Sequence, residues 1–148
     1  MRLAYYKYYL LLGFVLGLCI TRIKASNDVV LLFQQNTADK VFIQFEEGLN
    51  SGNLELFSTF FDEKTYVSLV SGYTGYLSSS QAYYVLKDFL TLNEPLGFKL
   101  TSKVTNTSSP FASGVLRYSV RGVRSSAMVF ISLKKSDDRW VISQITIN

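Results

Sequence analysis

Apolar residues recur along this chain with three different periods. Between Tyr8 and Ile20 they form one unbroken run. From Asp39 onward they fall at helical spacing: Val41, Phe42, Phe45 and Leu49 share a stripe, and Lys40, Gln44 and Glu47 take the other face. Thr37 or Asn36 can cap this helix, and the cluster Asn50–Asn53 ends it. Leu54–Phe61 reads as a short second helix. "EKTYVSLV", Glu63–Val70, alternates and reads as a first strand, and "SGYTGY" follows it as a turn with two glycines. Helical spacing returns in "SSSQAYYVLKDFLTLN", where Ala82, Val85, Leu86, Phe89 and Leu90 form the stripe. A serine from Ser78–Ser80 caps its start. Tyr83 and Tyr84 are adjacent, about 100° apart on a helix. One of them therefore packs at the edge of the stripe while the other faces away. The helix stops before Pro95, since the residue ahead of a proline is driven out of helical geometry.

From Gly97 the period changes to two. Phe98, Leu100 and Val104 alternate with Lys99, Thr101 and Lys103; Leu116, Tyr118 and Val120 alternate with Val115, Arg117 and Ser119. "SAMVFISLKK" is apolar on both faces, as a central strand is, and "RWVISQITIN" closes the chain. The predicted order is helix, helix, strand, helix, then four strands in a meander. Early helices with a late antiparallel sheet give an α+β architecture in which a curved sheet wraps its long helix.

Charge changes the picture only at the N-terminus. The 148 residues carry 15 Lys and Arg against 11 Asp and Glu, a net charge of +4. Arg2, Lys7, Arg22 and Lys24 all lie in the first 25 residues, which hold no acid. Without them the rest is neutral, which argues against a nucleic-acid role. A positive start, an apolar run well short of the roughly 20 residues of a membrane span, and a polar flank ending at Ala25 read as a secretory signal peptide. The expected organisation is a leader over 1–25, cleaved after Ala25, and a single domain over 26–148; the alternative is an uncleaved N-terminal anchor, with Arg22 and Lys24 following the apolar run. Cys19, the one cysteine, falls in the leader, so the exported chain would hold no thiol and no disulfide.

Two stretches carry a resemblance. "SQAYYVLKDFLTLNEPLGFKLTSKV" contributes Val85–Phe89, Asn93, Pro95 and Phe98; "FISLKKSDDRWVISQITIN" contributes Leu133–Lys135, Trp140, Ile142, Gln144 and Ile147. With the element order, these resemble a family of small exported bacterial proteins of no assigned function. The fold that the resemblance implies is the nuclear-transport-factor-2-like cone, with three N-terminal helices packed on a curved, mainly antiparallel sheet. The match runs from about Asp39 to Asn148. Glu94 stands where that family has the first of two prolines, and "SDDR" lacks its usual turn glycine.

Enzymes of this cone generally use an acid/base pair inside it, often Asp with His. This chain has no histidine, which removes the commonest general base and metal ligand. No catalytic residue, metal or cofactor is assigned. The expectation is an exported, non-catalytic domain that binds a small molecule or a protein. The alternative is a cofactor-free isomerase or dehydratase working through carboxylate and tyrosine. Asp62 and Glu63 are read as solvated acids of a helix-to-strand turn. Tyr66, Tyr73, Tyr76 and Tyr118 are the ligand-pocket candidates, with Tyr73 and Tyr76 placed where a loop would close the cone mouth. Arg117, Arg121, Arg124, Lys134 and Lys135 form a possible basic patch. The sheet's outer face should carry leftover apolar side chains and pair with a second copy. Arg117, Met128, Phe130 and Ile142, or their opposite-parity neighbours, are the candidates for that homodimer face.

Overall fold

The computed structural model describes residues 37–148. Helix α1 (Ala38–Ser51) starts where the Thr37 side chain accepts from the Lys40 amide, and ends at Gly52 in the left-handed conformation. A single turn, α2 (Glu55–Ser58), leads into strand β1 (Phe61–Leu69), which turns back as β2 (Thr74–Leu77). Helix α3 (Ser79–Leu92) opens on a capping box between Ser78 and Gln81. Then β3 (Glu94–Val104), β4 (Phe111–Val120), β5 (Val123–Ser136) and β6 (Arg139–Ile147) form the meander. The six strands lie in the order β2-β1-β6-β5-β4-β3. Only the β1–β6 contact is parallel.

The helices cover one face of this sheet. Val67 and Leu69, Ile145 and Ile147, Val129, Ile131 and Leu133, Leu116 and Phe98 point toward them and are buried. Against these pack Val41, Phe42, Phe45 and Leu49 of α1, Phe57 of α2, and Ala82, Leu86, Phe89 and Leu90 of α3. A chain of edge-to-face rings, Phe98–Phe45–Phe57–Phe61, ties sheet edge to sheet centre at centroid separations of 5.8, 4.9 and 5.8 Å. Gly48 makes the α1–α2 approach possible, because a Cβ there would strike the Phe57 ring. The interior of the cone is thus filled with side chains.

Both predicted amphipathic helices and the four-strand meander are present, and Tyr83 packs on the core while Tyr84 is 63% exposed. Three local readings differ. The second helix is one turn, because Phe61 enters the sheet beside Ile142 instead of extending the helix. The glycine turn contains a strand: Thr74–Leu77 pairs with Thr65–Ser68, which alternation could not register over four residues. Ile142 is fully buried rather than on the outer face. The β5–β6 register shifts between Ser132–Gln144 and Leu133–Ile142, leaving Ser143 as an extra residue, and such a bulge reverses parity beyond it. The predicted leader, its cleavage point and Cys19 lie outside the described residues.

Candidate functional site: the outer face of the sheet

With one face buried under helices, the other is the surface left for function. Alternation fixes its membership. In one row across the strands stand Tyr76, Tyr66, Gln144, Ser132 and Phe111; in the next, Thr74, Ser68, Thr146, Phe130 and Ser113. Val115 opposite Met128, then Arg117 opposite Ser126, continue the face. At its centre Phe111 stacks on Phe130 with centroids 5.9 Å apart, and Met128 is 54% exposed beside them.

One end of the face is a tyrosine hollow. Tyr66 and Tyr76 meet edge to face at 5.2 Å as a cross-strand pair. Lys64, Lys134, Ser143 and Gln144 complete a depression of about 420 Å³. Lys134 is held there by Asp62, with Nζ 2.5 Å from Oδ2. Asp62 is not the solvated turn acid expected above: it is 6% exposed, at the start of β1. Its backbone carbonyl accepts from the Ser79 and Thr65 hydroxyls, which fixes the strand start against α3. Burial makes Asp62 depend on its partner, since an unpaired buried carboxylate is costly. The ion pair therefore locates the Lys134 ammonium at the rim of the hollow.

The four tyrosine candidates do not form one site. Tyr66 and Tyr76 share the outer face, with Tyr76 74% exposed, and neither lies at a cone mouth. Tyr73 is in the β1–β2 turn, where its carbonyl accepts from the Leu69 amide. Tyr118 is buried on the helix side against Phe89, at 6.4 Å, because it shares parity with Leu116. Of the homodimer candidates, Arg117, Met128 and Phe130 share the outer face and Ile142 does not. The basic patch divides. Arg124 stands at one end of β5 with Arg117 beside it on β4, and Lys134 stands ten residues from Arg124 at the other end, on the order of 30 Å along an extended strand. Sequence reading missed Lys64, Ser143 and Gln144. Lys64 shares parity with Tyr66 and was legible, but the bulge hid the other two.

No arrangement for acid/base catalysis converges inside the cone among the described residues. Asp62 spends its carboxylate on Lys134. The tyrosine–carboxylate contact present is Tyr83 to Glu55, 2.6 Å, on the helical side. The bond that Tyr83 donates to Glu55, more than anything else, pushes the phenol above its usual range. Among the described residues, no three metal-ligating side chains cluster, and no helix is long and apolar enough to cross a membrane.

A family profile described as "Domain of unknown function (DUF4783)" matches residues 42–148. The chain belongs to the DUF4783 family. Two solved DUF4783 proteins share its fold. That of Bacteroides uniformis has a TM-score of 0.64 at 16% identity, covering 70% of this chain and 92% of the other. That of Bacteroides ovatus has 0.61 at 22%, covering 69% and 88%. A Catenulispora acidiphila protein with a ketosteroid-isomerase-like fold, solved with trimethylamine, superposes at 0.59 with 11% identity, covering 76% and 85%. No curated protein matches the chain. The family and the nuclear-transport-factor-2-like α+β cone are those that the sequence motifs resemble. In this DUF4783 chain the cone interior is core, and the exposed chemistry is on the opposite face.

Proposed function

We propose that this DUF4783 domain is exported, has no catalytic activity, and works by presenting its outer sheet face to a partner, first of all a second copy of itself. One observation carries the reading: the concave side is filled by its own apolar side chains, while Phe111, Val115 and Met128 remain exposed at the centre of the convex side. Exposed apolar clusters on folded domains commonly mark partner sites. A two-fold pairing would cover the cluster with its own image. A bound cofactor has no part in it. The leader-like first 25 residues support export, to the periplasm or the medium.

The face also carries Lys64, Lys99, Arg117 and Arg124, so two copies bring like charges together around an apolar centre. Added salt screens that repulsion and leaves the apolar contact intact. Light scattering on the purified protein should therefore give a mass that rises from monomer toward dimer with increasing salt. Met128→Lys should hold it at monomer throughout. A monomer at every salt concentration, or a dimer indifferent to Met128→Lys, would overturn the pairing. Export predicts a native chain starting at or near Ser26 by mass spectrometry; an intact Met1 in the membrane fraction would contradict cleavage.

A further inference from the structure

The second hollow of the outer face, about 640 Å³, is lined by Leu96, Arg117, Arg124, Ser125 and Ser126. Its two arginines come from neighbouring strands. Arg117 stands opposite Ser126, so Arg124 is its diagonal neighbour on the same face, at a backbone separation of about 7–8 Å. Two guanidinium forks at that spacing reach a common point between them. Among the described residues neither forms an ion pair: the pairs present are Lys103–Asp39 and Lys134–Asp62. The carboxylate with the best access, Glu94, stands opposite Ser119, which in turn faces Arg124. It is therefore two strands from Arg124, roughly 10 Å across the sheet, and a diagonal neighbour of Arg117 with which it forms no ion pair.

The backbone is shaped around one of these arginines. The β3–β4 register shifts between Pro95 and Gly97, leaving Leu96 as the extra residue. Gly97 follows with φ 151°, a conformation that disfavours side chains, and a Cβ there would sit 3.3 Å from the Arg117 Nη2. A side chain there would press on the guanidinium. The charge of the whole domain points the same way. Asp39, Glu46, Glu47, Glu55 and Asp88 are on the helices or at their ends and Asp62 is paired with Lys134, whereas Lys99, Arg117 and Arg124 outnumber Glu94 on the outer face. A domain with no net charge thus presents a sheet face with more cations than anions, and a positive surface concentrates anions.

We propose that the Arg117–Arg124 hollow binds a tetrahedral oxyanion, the phosphate or sulfate group of an ester whose organic part lies along Leu96. Two arginine forks and the Ser126 hydroxyl, which shares their face, supply more donors than one planar carboxylate can use, and a tetrahedral oxyanion offers acceptors to both forks at once. The site lies on the face proposed for pairing, so it is tested where light scattering gives a monomer, and it asks nothing of the tyrosine hollow at the other end. The same group could come from a soluble ester or from an anionic lipid headgroup.

Titration calorimetry of the purified protein with inorganic phosphate and with sulfate should give a dissociation constant on the order of 1 mM. Arg117→Lys/Arg124→Lys keeps the charge and removes the forks; it should weaken binding by about tenfold. Gly97→Ala should weaken it too, by displacing Arg117, and circular dichroism should show both variants folded. Lys40→Ala, on helix α1 across the sheet from the hollow, should leave the affinity unchanged. Cosedimentation with phosphatidylglycerol vesicles that is lost in the double lysine variant would assign the lipid source; anion binding without vesicle binding would assign a soluble ester. No heat with either anion, or equal affinity in the wild type and the double lysine variant, would overturn the site.

Discussion

Strand β3 is an edge of the sheet, and its outward amides are the first place where the fold should fail. Phe98 and Leu100 direct their N–H groups away from β4. Asn50 Oδ1 accepts the first at 2.6 Å and Glu46 Oε1 the second at 3.0 Å. The match is one of repeat lengths: four residues of helix rise about 6 Å, and two residues of strand about 6.7 Å. Two side chains one turn apart on α1 can therefore serve alternate amides of a strand running beside it. The carbon side of the same residue, Phe98, is buried against Phe45. Water has poor access to its amide once the acceptor is gone. Asn50→Ala should then cost about 1–3 kcal/mol, the range for a buried donor left unpaired. Glu46→Ala should cost about 1 kcal/mol, because Leu100 is half-buried where Phe98 is buried. The double variant should lose about 2–4 kcal/mol from a total on the order of 5–15. Asn50→Asp keeps an acceptor oxygen in place and should cost less than Asn50→Ala. Urea unfolding followed through Trp140, the single tryptophan, gives these values, and hydrogen exchange reads the amides of Phe98 and Leu100 directly. The double variant should also associate edge to edge, because a bare strand edge is a template for another strand. If Asn50→Ala changes stability by less than about 0.5 kcal/mol and leaves Phe98 exchange as slow as in the wild type, the helix does not guard the edge.

Phe89 is buried between α3 and Tyr118, so Phe89→Ala should cost about 3–5 kcal/mol by urea midpoint, while Tyr84→Ala on the exposed side of the same helix should cost under about 0.5. Removing the Lys134 ammonium with Lys134→Met should destabilise the fold more than replacing both partners with Asp62→Leu/Lys134→Met, since only the first leaves a buried carboxylate alone; equal losses would show that water already serves Asp62. The phenol of Tyr83 is favoured in its neutral form by its bond to Glu55. Its contribution to stability is full below the ordinary tyrosine pKa of about 10 and is lost as pH rises through the higher folded value. Glu55→Gln should bring the Tyr83 titration, isolated by difference against Tyr83→Phe, back toward the ordinary range; an unmoved titration would mean that the hydrogen bond is not its cause.

The elements whose repeat ran long enough were written in the sequence. Two helical stripes of fourteen-residue helices and four alternating strands carry their own period, so α1, α3 and β3–β6 follow from local order, and the motifs around Val85–Phe89 and Leu133–Ile147 pointed to the family. Which residues share a surface was not legible there. Parity along a strand holds only until a bulge, and the bulges at Ser143 and Leu96 moved Ile142 into the core and placed Leu96 by Arg117. Asp62 looked like a surface acid because nothing local shows that a lysine 72 positions later lies against it. Lys134 reaches the Tyr66–Tyr76 pair only because β1 and β6 pair in parallel and bring β5 one strand away, a contact with no trace in any of these strands alone. Local periods arise from backbone geometry and side-chain burial within a few residues, and the sequence holds both. Surfaces arise from register between distant strands, which is fixed when the whole core closes at once.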